Sequence, residues 1–305
     1  MLARLPQYPT YQVFLAIVIA LVAAASLMPL WIRLLRVRNI GQQVRADGPQ
    51  GHLIKQGTPT MGGVLILFVV ITTTILMGLV GGVAFQELRP ALIVLGATFA
   101  CGALGFIDDF AKVAHERSLG LRPRAKLFGQ AAISVAFGLA AVNWVGVETW
   151  LRIPFTSARI DLGGLVTRVP LGEAGVLMVP WLYLAFVAFM MIAMSNAVNL
   201  TDGLDGLAAG TVTIVVLAFA GIAYRQNSLE NAIVGAAIAG ACIGFLWFNS
   251  HPADIFMGDT GSLGLGAAIA ALAVVTKTEL FLVIIGGIYV IETLSVILQV
   301  ASYKL

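Results

Sequence analysis

Runs of about 20 apolar residues, broken by short polar stretches, recur along the chain, and each is long enough for an α-helix to cross a hydrocarbon core of about 30 Å. The pattern predicts spans over 13–32, 61–80, 91–107, 127–147, 178–198, 207–224, 231–248, 263–276 and 280–300. The segment 263–276 is short for a span, and its glycine-rich start extends it. Residues 148–177 break the rhythm, because ARIDL and LVTRVPL alternate apolar and polar positions on either side of Gly163-Gly164. That alternation predicts a small β-hairpin on the outer surface. No internal repeat or low-complexity linker divides the chain. The expectation is one all-α polytopic membrane domain over 1–305, with about nine transmembrane helices.

Composition agrees with the pattern. Of 305 residues, 59% are hydrophobic and 11% charged, against roughly 25% charged in soluble domains. The net charge of +3 comes from basic residues scattered through loops, where they set topology; no nucleic-acid partner is expected. Arg33, Arg36 and Arg38 follow the first apolar run, whereas a signal peptide carries its positive region in front. The run therefore reads as a retained helix with its N-terminus outside. With nine spans, about 11 of the 18 basic residues then fall inside, the bias the positive-inside rule requires. Cys101 and Cys242 lie within spans and read as small packing residues. Gly240 and Gly244 form a small-xxx-small pair that lets helices approach.

This topology sorts the acids. Glu87, Glu148, Asp161, Glu173, Glu230 and Glu279 fall outside, singly, and read as solvated loop charges. Asp47, Asp108, Asp109, Glu116, Asp202, Asp205, Asp254 and Asp259 fall inside, most of them in clusters. Asp108 and Asp109 close a span in GFIDDF; adjacent like charges there repel unless a cation lies between them. Asn199, Asp202 and Asp205 recur every third residue in NLTDGLDGL. A helix would set them on one face, with Gly203 and Gly206 loosening it for close ligand approach. In WFNSHPADIFMGDTGSLG, Asp259 precedes a glycine-rich helix start whose N–H groups suit phosphate oxygens. Asn249 and His251 share that loop. KQGTPTMGG, from Lys55 to Gly63, lacks the P-loop order but sets a lysine and threonines before a helix.

Carboxylates from separate loops, with Lys55, Arg122, Arg124 and Lys126 nearby, are what a Mg²⁺–diphosphate complex needs: one or two carboxylates on the metal, and cations for the remaining charge. Metal-assisted phosphoryl transfer at the membrane surface follows as the leading chemistry.

Taken in order, KQGTPTMGG, GFIDDF, NLTDGLDGL and FMGDTGSLG closely resemble the phospho-N-acetylmuramoyl-pentapeptide transferase family, of the polyprenyl-phosphate N-acetylhexosamine-1-phosphate transferase superfamily. The resemblance implies transfer of phospho-MurNAc-pentapeptide from UDP-MurNAc-pentapeptide to undecaprenyl phosphate, giving lipid I and UMP, at the cytosolic face of a bacterial inner membrane and in a homodimer. It implies Mg²⁺ on Asp259, with Asp202 as a second ligand. Asp108 and Asp109 would serve the lipid phosphate, one of them as base or, in a two-step scheme, as nucleophile. Asn199, Asp202 and Asp205 would hold the nucleotide, with Lys55 and Thr60 beside it and Phe256 stacked on uracil; Asn249 joins the substrate-binding set. The family continues into a histidine-rich cytosolic loop and a tenth span, which this sequence, ending at Leu305, does not contain; impaired turnover of the chain as given is the expectation.

Other readings stay open at this stage. A sister transferase would take UDP-N-acetylglucosamine, and a scaffold descended from such enzymes would have lost catalysis. An ion-coupled transporter would need midplane acids, and only Glu292, with Ser295 and Gln299 on its helical face, lies deep in a span.

Overall fold

The computed structural model describes residues 8–38, 40–41, 57–81, 85–114, 120–172 and 175–304. The helices are α1 (Pro9–Val37), α2 (Gly62–Val80), α3 (Phe85–Ala114), α4 (Pro123–Ala140, continued by a π-helical turn to Val145), α5 (Trp181–Thr201), α6 (Leu207–Arg225), α7 (Leu229–Asn249), α8 (Gly258–Val275), α9 (Leu282–Ile285) and α10 (Gly287–Lys304). Among the described residues α1 to α8 are long and apolar enough to span a membrane, and the chain is a multi-pass membrane protein. The expected ninth span is broken instead. Gly286 ends α9 after four residues, and the apolar helix that follows, 287–303, is shorter than the others.

Two helices form the centre. α7 lies along α1 and α6, and α8 along α3 and α5. Their small residues explain this. In a bilayer there is little hydrophobic drive between helices, so close backbone contact supplies the packing. A Cβ on Gly240 would collide with the Ile17 carbonyl oxygen, and one on Gly244 would lie 2.6 Å from that of Leu21; the spacing predicts a close helix approach, and the structure makes α1 the partner. At the start of α8, Gly63 of α2 meets Gly261, and Gly105 of α3 meets the Asp259 carbonyl, with no room for a methyl group. These contacts wedge the start of α8 between α2 and α3, where the acids lie. Cys101 and Cys242 are free and buried.

Between α4 and α5 the expected alternation forms strands, but in different pairs. β1 (Trp150–Arg152) pairs with β2 (Arg159–Asp161), and β3 (Val166–Pro170) with β4 (Val176–Pro180), both antiparallel. ARIDL and LVTRVPL thus belong to two successive hairpins. Tight hairpin turns need positive φ. Neither Gly163 nor Gly164 has it, whereas Gly172 and Gly175, in the β3–β4 loop, do (63° and 98°). Asp161 Oδ1 instead accepts the Gly163 N–H at 2.7 Å and turns the chain onward.

Among the described residues, the end of the bundle away from the carboxylate cluster holds one buried acid. Glu279 is 2% exposed. Its Oε1 accepts from Lys277 Nζ at 2.7 Å and from the Tyr183 hydroxyl at 3.1 Å. Lys277 also donates to the Glu148 carbonyl (2.9 Å) and lies over the Trp150 ring. Burial pushes the Glu279 carboxyl up and the Lys277 ammonium down, and each charge offsets part of the other's shift. The expectation of a loop charge fails because the α8–α9 turn folds inward, beneath the first hairpin. Glu173 lies outside the described residues.

Candidate active site

The last turns of α3 carry Asp108, Asp109 and Lys112 at spacings of three and four, which sets the lysine beside both acids. Lys112 Nζ is 2.6 Å from Asp108 Oδ2 and 3.7 Å from Asp109 Oδ1. Both carboxylates are buried, each residue 3% exposed. The backbone N–H of Leu121, ahead of α4, donates to Asp108 Oδ1 at 2.7 Å.

Helix α8 starts at Gly258, whose φ of 76° lies in the left-handed region, where glycine is tolerated without a Cβ penalty. A side chain there would also strike Asp109 Oδ2 and Thr60 Oγ1. The opening N–H groups of α8 are not free for a phosphate, contrary to the sequence expectation. Asp109 Oδ1 accepts from the Asp259 N–H (3.0 Å), and Oδ2 from the Thr260 N–H (2.9 Å) and Oγ1 (2.7 Å). A carboxylate is favourable at a helix N-terminus, so Asp109 caps α8 from a neighbouring helix.

Asp259, in the first turn of α8, is the more open acid, with its side chain 15% exposed. Its Oδ2 lies 2.7 Å from Lys126 Nζ and 3.1 Å from Lys112 Nζ. Asn199 Nδ2 donates to its Oδ1 at 2.9 Å and to Ser262 Oγ at 2.8 Å. Asp108, Asp109 and Asp259 each offer an oxygen within 4.8 Å of the others, a set that could hold a metal ion. Hard carboxylate oxygens suit Mg²⁺, and the two ammonium groups at Asp259 show that cations are favourable there.

Asn199, Asp202 and Asp205 do not share one helix face. α5 ends at Thr201, and the chain then turns through Gly203 and Gly206. Asn199 bonds to Asp259 and Ser262 of α8, and Asp202 lies near the Gly258 N–H, which opposes part of its shift. Loss of solvent, with the charges of Asp259 and Asp109 nearby, raises the Asp202 carboxyl well above its ordinary range. Asp202, expected as the second metal ligand, lies outside the three-carboxylate set. Asp205 turns to the 250–253 loop, where its Oδ2 meets His251 Nδ1 at 3.0 Å and the Ala253 N–H at 3.3 Å.

Asn249 is a brace within the fold. Its Oδ1 accepts from the Gly206 N–H (3.0 Å) and its Nδ2 donates to the Ile255 carbonyl (2.9 Å). Thr60 and half-buried Phe256 lie on two loops joined edge to edge, the Phe256 N–H bonding to Pro59 O and its carbonyl accepting from the Gly62 N–H. Lys55, Asp47 and Glu116 lie outside the described residues. Arg122 and Arg124 stay exposed. Sequence reasoning missed Lys112, Thr260 and Ser262 as site members. The spacing in DDFAK signals Lys112; Thr260 and Ser262 become visible only once α3 and α5 meet α8.

The comparisons with known proteins agree with this assembly. Residues 91–277 match the model of glycosyl transferase family 4. Residues 55–67 match phospho-N-acetylmuramoyl-pentapeptide-transferase signature 1. A phospho-N-acetylmuramoyl-pentapeptide-transferase of Bacillus subtilis (strain 168) is 46% identical over 293 residues, 96% of this chain and 84% of the relative. One from Bacillus pumilus is likewise 46% identical over 96% of this chain and 84% of the relative. One from Desulforudis audaxviator is 47% identical over 96% of this chain and 85% of its own length. The match runs through the acids, the lysines and the glycines that seat α8, and the chain belongs to glycosyl transferase family 4, among the phospho-N-acetylmuramoyl-pentapeptide-transferases.

Proposed function

We propose that the chain transfers phospho-MurNAc-pentapeptide from UDP-MurNAc-pentapeptide to undecaprenyl phosphate, giving lipid I and UMP at the cytosolic face of a bacterial inner membrane. The observation that carries the reading is the meeting of Asp108, Asp109 and Asp259 with Lys112 and Lys126 at one end of a membrane bundle, in a chain with these relatives. Asp259 and Asp108 would hold Mg²⁺, with Asp202 behind them; once bound, the ion would offset the diphosphate charge. Two lysines remain for phosphate oxygens.

An oxygen of the lipid phosphate attacks the sugar-bearing phosphorus, the bond to the other phosphate breaks, and UMP leaves with the electron pair. Such transfer depends mostly on positioning and charge stabilisation, with little left for a base. The lipid phosphate is already ionised near neutral pH, so Asp108 has the modest task of orienting it through Lys112. Asp109, with both oxygens bonded to α8, fits a positioning role better than that of a nucleophile. The Asn199–Asp205 turn, Thr60, Phe256 and Lys55 form the nucleotide side. A second copy of the chain completes the proposed homodimer.

The test is to supply proteoliposomes containing undecaprenyl phosphate with UDP-MurNAc-pentapeptide or UDP-N-acetylglucosamine and to extract the lipid product. Product from the muramoyl-pentapeptide donor alone supports the reading. Product from UDP-N-acetylglucosamine alone transfers the chain to the sister activity.

A further inference from the structure

A groove with no part in the transfer site lies between the last turns of α1 and of α7. It encloses about 350 Å³ and is lined by Pro29, Ile32, Arg33, Arg36, Phe248 and Asp254 among others. Its chemistry changes along α1. Pro29 and Ile32 are apolar, and Arg33 and Arg36, one turn apart on the same helix, bring two guanidinium groups above them. Trp247, 84% exposed at the end of α7, marks this level as the membrane–water interface, where tryptophan concentrates. Below the groove, Leu30, Val22 and Val18 of α1 are each more than half exposed and offer acyl chains a surface.

Among the described residues the groove contains one opposing charge. Asp254 Oδ1 lies 3.6 Å from Arg36, with both side chains more than half exposed (59% and 63%). An exposed pair of that kind is weak, and a phosphate makes stronger, two-pronged bonds to arginine than a distant carboxylate does. Two guanidiniums against one carboxylate leave net positive charge over an apolar floor, the complement of an anionic lipid headgroup on its chains.

We infer that this groove binds the headgroup of an anionic glycerophospholipid, with the phosphodiester on Arg33 and Arg36 and the acyl chains along α1. The inference does not rest on the transferase reading. Asp254 competes with the lipid for Arg36, so its loss should strengthen binding.

Native mass spectrometry of the delipidated full chain, given equimolar phosphatidylglycerol and phosphatidylcholine, tests this. A basic residue near an anionic headgroup favours it by about fivefold, and the parent chain should retain one phosphatidylglycerol with at least that preference. Arg33→Gln/Arg36→Gln should bring the preference to about one, Arg33→Lys/Arg36→Lys should keep part of it, and Asp254→Asn should raise it. Retention by the double glutamine variant equal to the parent's would overturn the inference, as would a fall in Asp254→Asn. Displacement of phosphatidylglycerol from the parent by equimolar undecaprenyl phosphate would also overturn it and give the groove to the acceptor lipid. The Asp254→Asn arm decides the matter even where the arginine variants fold poorly.

Discussion

Asp109 Oδ2 accepts two hydrogen bonds from Thr260, one from its N–H at 2.9 Å and one from its Oγ1 at 2.7 Å. Through this contact α3 fixes the start of α8 and so the position of Asp259. Asp109→Asn leaves a buried amide where the helix start needs an acceptor, and should cost about 1–3 kcal/mol of stability. Thr260→Val should cost about 1 kcal/mol. Thermal unfolding in detergent checks both, and the two losses should be less than additive, because they remove one shared contact.

The lysines act in the opposite sense on metal and on turnover. Lys112→Met or Lys126→Met removes a cation from Asp259, so half-maximal Mg²⁺ should fall. UMP release should fall as well, by about 10²–10³-fold, the usual loss for a donor that stabilises transition-state charge. A Mg²⁺ titration of initial rates separates the two effects.

Asp202 supplies a pH test. Its carboxyl is held well above the ordinary carboxylate range, so the folded chain binds that proton more tightly than the unfolded chain does. This contribution to stability is present below the unfolded value of about 3.9 and is lost as pH rises through the folded one. Asp202→Asn keeps the size of the side chain and has no charge to lose. With EDTA present, its melting temperature should match the parent's near pH 4 and exceed it increasingly toward pH 8.

The buried pair at the other end predicts a different pattern. Lys277→Met leaves Glu279 without its cation and should cost about 3–5 kcal/mol. Lys277→Met/Glu279→Leu should cost less than that single change, because no buried charge is left unpaired. Chemical denaturation of the single and double variants measures the difference.

Gly105→Ala should disable the site without touching an acid, since its methyl group would drive into the Asp259 carbonyl. Gly221→Ala on α6 meets nothing within 4 Å and should leave activity intact, with a gain of up to about 1 kcal/mol from helix propensity. Turnover and melting temperature of the two variants make the comparison.

Much of this was legible in the sequence because the bilayer imposes it. Apolar length places the first eight spans, most of them to within about five residues, while α3 runs six residues earlier and seven later than expected; the glycine spacing in α7 predicts a close helix contact, and α1 makes it. The acids of GFIDDF stand out because adjacent like charges at a span end repel unless a cation lies between them, and Asp259 of FMGDTGSLG because it opens a glycine-rich helix start. What stayed hidden depends on tertiary meeting. Periodicity in NLTDGLDGL suggested a helix face, but the chain turns after Thr201, sending Asn199 to Asp259 and Asp205 to the 250–253 loop. The glycine-rich start of α8 resembled a phosphate cradle because nothing local shows that Asp109 fills it. Glu279 reads as a loop charge because nothing local shows that it is buried beside Lys277 and bonded to Tyr183, 96 residues away in the chain.

The most direct test of the account is UMP release from UDP-MurNAc-pentapeptide with undecaprenyl phosphate and Mg²⁺, compared between the parent chain and Asp259→Asn. Release should require the lipid phosphate and fall at least about 10²-fold in the variant. Release without the lipid acceptor, or undiminished release from Asp259→Asn, would contradict it.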